Sequence, residues 1–172
     1  GQNSDDSNEG EWKIVFYAGH FSFEKPEDYE DSGLYWMRED GSGKEMLVSE
    51  TELVMGRKRE TVYDALLSPD GRKVAYTTTH GNGILIYDLE TKQITELAGG
   101  FSPSWSPDSQ QVAYISSTDI TSDGVLLYEA RIVDLLTRDK QTVIASRDII
   151  MEPKPNTGYF WDIAWSPDGK QW

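Results

Sequence analysis

The chain contains no cysteine and only two histidines among its 172 residues. Disulfides, zinc–thiolate sites and thiol nucleophiles are therefore excluded, while the redox compartment stays open. Positive charge is scarce as well: 16 Lys and Arg stand against 30 Asp and Glu, for a formal net charge of −14. Phosphate-rich surfaces bind through basic patches and would repel such a chain, which weighs against nucleic acid or an anionic membrane as partner. No window approaches the ~18 consecutive apolar residues of a membrane helix, and no signal-peptide hydrophobic stretch stands at the start. Aromatic residues, by contrast, are plentiful, with 6 Trp and 9 Tyr, so the material for a core is present. The length suits one ordinary domain or two very small ones.

Residues 1–11 are Gly, Gln, Asn, Ser and acids without an apolar side chain. Such a stretch cannot bury enough surface to offset its ordering entropy and reads as a flexible leader. It suits either a tether left after removal of an export signal or an ordinary frayed terminus. From Trp12 onward, short β-branched and aromatic runs (Ile14–Tyr17, Val74–Thr78, Ile84–Tyr87, Val112–Ile115) alternate with turn residues, the pattern of β-strands. No stretch of ten residues shows helical periodicity with good caps. The nearest candidate, Leu126–Arg138, reads equally as a strand over Arg131–Val133 that runs into a turn at Thr137–Lys140.

Internal repetition is the strongest signal. Ala65-Leu66-Leu67-Ser68-Pro69-Asp70-Gly71, Pro103-Ser104-Trp105-Ser106-Pro107-Asp108-Ser109 and Ile163-Ala164-Trp165-Ser166-Pro167-Asp168-Gly169 align, and the first two continue into Val-Ala-Tyr. Ser68 and Ser106 lie 38 positions apart, Ser106 and Ser166 lie 60 apart. Mechanically, an apolar strand meets a turn in which Pro presets φ, Asp caps through its side chain and Gly supplies positive φ, and the chain returns as a second strand. Third strands (Leu34–Met37, Ile84–Tyr87, Ala130–Val133) and fourth strands (Glu45–Val48, Gln93–Leu97, Gln141–Ala145) follow. Four antiparallel strands per repeat make a propeller blade, so an all-β propeller is expected. Ser-Pro-Asp-Gly-x-x-Val-Ala-Tyr followed by Ile-Tyr-Asp-Leu resembles the WD-repeat-like propeller repeat of the TolB family, which also occurs in the propeller domains of prolyl oligopeptidase-type enzymes. The resemblance spans roughly Trp12 to Trp172. Three departures stand out: Ser109 in place of the turn glycine, Leu67 in place of the tryptophan, and no Ser-Pro-Asp-Gly in the first repeat.

With strands labelled A to D outward from the axis, the expected blades are B–D over 12–62, a full blade over 63–100, another over 101–158, and a closing strand A over 159–172. That is about three blades' worth, fewer than the ~4–8 that close a ring. Either two chains pair about a two-fold axis into a six-bladed ring, or this is part of a longer propeller.

Length accumulates in the B–C segments Gly19–Gly33 and Thr118–Gly124 and in the D–A segments Ser49–Thr61 and Ser146–Gly158, all expected on one face. Long loops on a rigid scaffold are where binding usually resides. Phe21, Phe23, Tyr29, Tyr159 and Phe160 are the aromatic candidates there; packing beneath their own loops is the alternative role. His20 and His80 occupy equivalent positions after strand B, with Thr118 in the third repeat. A symmetric imidazole pair can hold a divalent cation beside Asp119 or Asp123, but two histidines without a fixed carboxylate spacing make a poor ligand set, and a loop-capping side chain inherited by duplication is the favoured role. Asp64 and Asp162 are equivalent at the start of strand A, with Ser102 between them, placed to line the channel mouth or to satisfy inner-strand amides. Arg57-Lys58-Arg59 is the one basic run and reads as a solvated D–A loop, with steering of an acidic partner as the alternative.

Catalytic motifs are missing: no Gly-x-Ser-x-Gly elbow, no phosphate-binding Gly-x-x-x-x-Gly-Lys and no His-Glu-x-x-His. The expectation is a non-catalytic module without a required cofactor that binds a protein or peptide through its long-loop face, and the resemblance implies a periplasmic or extracellular setting. The propeller of a larger peptidase, a metal-dependent lyase at His20 and His80, and a self-assembling scaffold are the alternatives.

Overall fold

The computed structural model describes residues 13–19, 31–55, 61–79, 83–120, 126–145, 162–166 and 168–169. Among these residues three antiparallel sheets follow one another in sequence. The first contains β1 (Lys13–Ala18), β2 (Gly33–Arg38) and β3 (Glu45–Ser49). A single helical turn, α1 (Glu50–Leu53), leads to the second sheet, β4 (Val62–Leu67), β5 (Lys73–Thr78), β6 (Gly83–Asp88) and β7 (Ile94–Gly99). The third holds β8 (Phe101–Trp105), β9 (Gln111–Ile120), β10 (Leu126–Asp134) and β11 (Lys140–Ala145). Strand order within each sheet is sequential, the meander of a propeller blade.

Blades stack because each sheet is apolar on both faces. Side chains alternate along a strand, so on β5 Val74 and Tyr76 face the first blade while Ala75 faces the third. Ile84 and Ile86 of β6 join Ala75 against Trp105, Val112 and Tyr114 of the third blade. On the other side Val74, Tyr76 and Tyr87 pack on Leu34, Val48 and Leu53. Burying each of Val74, Ile84 and Val112 completely contributes about 1.5–3 kcal/mol. Two-sided burial also explains why these strands read as continuous apolar runs.

The Ser-Pro-Asp turns are built alike. The Ser68 hydroxyl donates to Asp70 Oδ1 (2.6 Å), which also accepts the Arg72 amide (3.1 Å), while the Lys73 amide donates to Ser68 Oγ (2.9 Å). Ser106, Asp108, Gln110 and Gln111 repeat the arrangement, and Ser166 donates to Asp168 (2.7 Å). The turn residue is left-handed in all three: Gly71 at φ 72°, Ser109 at 61° and Gly169 at 68°. Ser109 departs from glycine for a reason visible across the blade boundary, where its Oγ accepts the Asp70 amide at 3.0 Å. Left-handed serine costs roughly 1 kcal/mol, and a hydrogen bond returns about as much. Ser109→Gly is therefore expected to melt within a few degrees of the parent, whereas Ser109→Ala keeps the strain, loses the bond and melts clearly lower. Equal melting temperatures for the two variants would contradict this balance.

Two departures from the sequence reading are local. β9 runs on to Ile120, so the B–C connection of the third blade shrinks to 121–125 instead of starting at Thr118; Ser116 and Ser117 are polar but pair with Glu129 and Tyr128 of β10. Ambiguous Leu126–Arg138 resolves as strand β10 followed by a turn in which Asp134 Oδ1 accepts the Leu136 and Thr137 amides (2.9 Å each). Residues 162–166 belong to none of the three sheets, but the Trp165 indole donates to Ser104 O at 3.1 Å.

Candidate functional site

Register decides which connections share an end. Ala18 pairs with Gly33, Gly33 with Ser49, Val62 with Thr78 and Gly83 with Gly99. The ends of strands B and D and the starts of A and C therefore coincide, and the B–C and D–A connections leave and return at one end of the blades. Short Ser-Pro-Asp and C–D turns occupy the opposite end.

At the long-connection end, α1 begins with a capping box: Glu52 N donates to Ser49 Oγ (3.2 Å), and Ser49 N donates to Glu52 Oε2 (3.1 Å). The turn is fastened over the boundary between the first two blades. Tyr76 donates its hydroxyl to Leu53 O (2.8 Å), the Tyr87 hydroxyl donates to Glu52 Oε1 (3.3 Å), and the Val62 amide donates to Oε1 of buried Glu50 (3.0 Å). Burial, reinforced by the Glu52 carboxylate, pushes the Tyr87 hydroxyl up to about 12, so it stays a donor at any working pH. For Glu52 burial presses upward, yet the Ser49 amide and hydroxyl and the Tyr87 hydroxyl outweigh it and hold the carboxyl low.

Strand A carries the second feature. β4 and β8 each break register at the same repeat position, between Tyr63 and Leu66 and between Phe101 and Ser104. Inside these bulges Asp64 (φ 52°) and Ser102 (φ 50°) are left-handed. A non-glycine residue there costs about 1–2 kcal/mol, and bulges commonly re-aim side chains near binding sites. Asp64 is exposed. Beside it, Tyr63 is 46 % exposed, while its equivalent Phe101 is half-buried edge-on to Tyr128, with ring centroids 6.0 Å apart. Asp162 is exposed and its Oδ1 accepts the Ile163 amide at 2.8 Å. Among the sequence candidates, His20, His80, Phe21, Phe23, Tyr29, Tyr159 and Phe160 lie outside the described residues. Tyr63 went unread in the sequence, although an aromatic precedes the Asp or Ser in all three repeats (Tyr63-Asp64, Phe101-Ser102, Trp161-Asp162).

No protein-family model matches the chain. It is 38 % identical over 71 residues to the Tol-Pal system protein TolB of Alcanivorax borkumensis, an overlap covering 37 % of this chain and 16 % of that protein. Its fold superimposes on the crystal structure of TolB from Acinetobacter baumannii with a TM-score of 0.59, at 21 % identity over 92 % of this chain and 34 % of that one. The three sheets are propeller blades, and their fold is similar to that of TolB. The chain spans about a third of the solved protein's length. A prolyl endopeptidase structure shares the fold with a TM-score of 0.51, at 20 % identity over 67 % of this chain and 19 % of that one. Likeness at this level reports architecture alone, since one propeller hosts many activities.

Proposed function

We propose that this TolB-like chain is a non-catalytic, periplasmic binding module that captures a protein or peptide on the end of the blades carrying the long connections. The observation that carries the reading is the pair Tyr63 and Asp64: an exposed ring and an exposed carboxylate side by side on the strand-A bulge, at that same end. Aromatic side chains beside charge are what interface centres are built from. Phe21, Phe23 and Tyr29 lie in the B–C connection that leaves from this end, and Tyr159 and Phe160 in the segment leading to Asp162.

The relative's name ties it to the Tol-Pal system, so the first partner to test is the Pal protein of the same cell. The expected result is binding by calorimetry that falls about tenfold in Tyr63→Ala and at least 100-fold when Phe21, Phe23 and Tyr29 are all changed to alanine, with melting temperatures unchanged. Pal binding that survives all four substitutions would put the interface on the opposite end.

A further inference from the structure

We infer, resting on the binding face proposed above, that Tyr63 and Asp64 seat one arginine side chain of the captured protein. Both faces of the second blade are covered, by the first blade at Val74, Tyr76 and Tyr87 and by the third at Ala75, Ile84 and Ile86. On its strand A, Val62 is buried in the cluster shared with the first blade, while Tyr63 beside it stays exposed. The equivalent Phe101 rests edge-on against Tyr128; Tyr63 has no ring partner among the described residues. Asp64 is left in the same condition. Its exposed carboxylate has no hydrogen-bond or ion-pair partner among the described residues, although its backbone is held left-handed. At Ser109 the same backbone conformation is compensated across the blade boundary by the Asp70 amide; nothing described does this for Asp64.

Charge sets the sign of the occupant. The described lysines and arginines, Arg131 apart, lie at or beside the short-turn end, as Arg38, Lys44, Arg72, Lys92 and Lys140 do. Arg131 is already committed to Glu129 at 2.8 Å. Asp64, at the other end of the blades, therefore faces incoming groups without a described cation beside it, on a chain whose net charge is −14. An anionic group would be repelled there and a cationic one drawn in. Between the two basic side chains, arginine suits this pair better. Its guanidinium is planar and weakly hydrated, so it can lie on an aromatic ring while its fork of N–H groups donates to a carboxylate. An ammonium is a compact, strongly hydrated charge and cannot use ring and carboxylate together so well.

The probe is the blocked peptide acetyl-Gly-Arg-Gly-amide, titrated into the full chain and followed by the NMR signals of labelled tyrosine rings and backbone amides. The Tyr63 ring and the Asp64 amide are expected to shift, and the same peptide with citrulline, which keeps the shape and loses the charge, should bind at least about fivefold more weakly. Tyr63→Ala and Asp64→Asn should each weaken the arginine peptide about fivefold. Asparagine is chosen because it accepts the left-handed backbone and removes only the charge. Equal binding of the citrulline peptide overturns the proposal, as does binding unaltered by Asp64→Asn. So do shifts spread evenly over other exposed carboxylates, which report attraction to net charge alone. A response that appears only once Arg57, Lys58 and Arg59 are changed to alanine would give the seat to the chain's own basic run, and overturns it too. Calorimetry with Pal separates this chemistry from the broader reading. Pal binding that falls in Tyr63→Ala but not in Asp64→Asn, and is indifferent to salt, keeps the face and removes the arginine. A specific peptide response beside Pal binding that ignores both substitutions keeps the seat and fails the Pal assignment.

Discussion

Trp105→Ala is expected to lower stability by about 3–5 kcal/mol, the range for deleting a large buried aromatic. The ring is 7 % exposed and belongs to the cluster shared by the second and third blades. Its Nε1–H donates to Leu66 O, so truncation also leaves a carbonyl without its partner. For a domain of this size the loss corresponds to a fall of about 6–20 °C in melting temperature. Trp105→Phe separates the contributions: it keeps most of the apolar contact, loses the indole donor, and is expected to cost about 1–2 kcal/mol. Trp165 makes the same bond from a half-buried position and should be more tolerant of replacement. A Trp105→Ala variant melting within a degree or two of the parent would mean the blades are joined elsewhere.

The blade architecture was legible because its signals are local and repeated. Ser68-Pro69-Asp70-Gly71 forces a hairpin by backbone chemistry alone, and the recurrence at Ser106 and Ser166 sets the blade period. Substitution of Ser109 looked like a defect in the pattern. Only the neighbouring blade explains it, since the compensating bond runs to Asp70, 39 positions away. Helix α1 is different: the capping-box pattern Ser49-x-x-Glu52 was present, but a four-residue turn lacks the apolar periodicity by which helices are recognised. Polar Ser116 and Ser117 concealed the length of β9, because cross-strand pairing with Tyr128 and Glu129, not side-chain propensity, holds them in the ladder. At the candidate site, the equivalence of Asp64 with Ser102 was readable, but their left-handed backbone was not. A bulge is set by how two strands pair, and neither Asp64-Ala65 nor Ser102-Pro103 announces it. Exposure of Tyr63 was hidden for a similar reason: aromatics in a propeller strand serve core and surface alike, and its equivalent Phe101 is half-buried.

Acid should unfold the chain steeply below about pH 4, and the turns are the cause. Asp108 is held below the ordinary carboxylate range by the Ser106 hydroxyl and the Gln110 amide, and Asp134 by the Thr137 and Leu136 amides. The Thr91 amide does the same for Asp88, aided by Lys73, and the Ser42 hydroxyl and amide for Asp40. At Asp70 burial presses upward, but the Ser68 hydroxyl, the Arg72 amide and the Lys73 charge prevail. Each of these groups has a lower pKa folded than unfolded, where an aspartate titrates near ~3.9. As pH falls, the unfolded chain takes up protons first. The stability these carboxylates contribute is complete above that value and disappears as pH drops through their depressed folded values. An opposing effect acts higher up: a net charge of −14 strains the compact state, and ordinary exposed acids begin to relieve it near pH 5. The melting temperature should therefore rise modestly from pH 7 towards pH 5 and collapse below 4, and added salt at pH 7 should reproduce the rise by screening the repulsion. A melting temperature that keeps climbing to pH 3 would show that charge relief outweighs the turn carboxylates, and that the Ser-Pro-Asp turns hold the blades together by backbone shape alone.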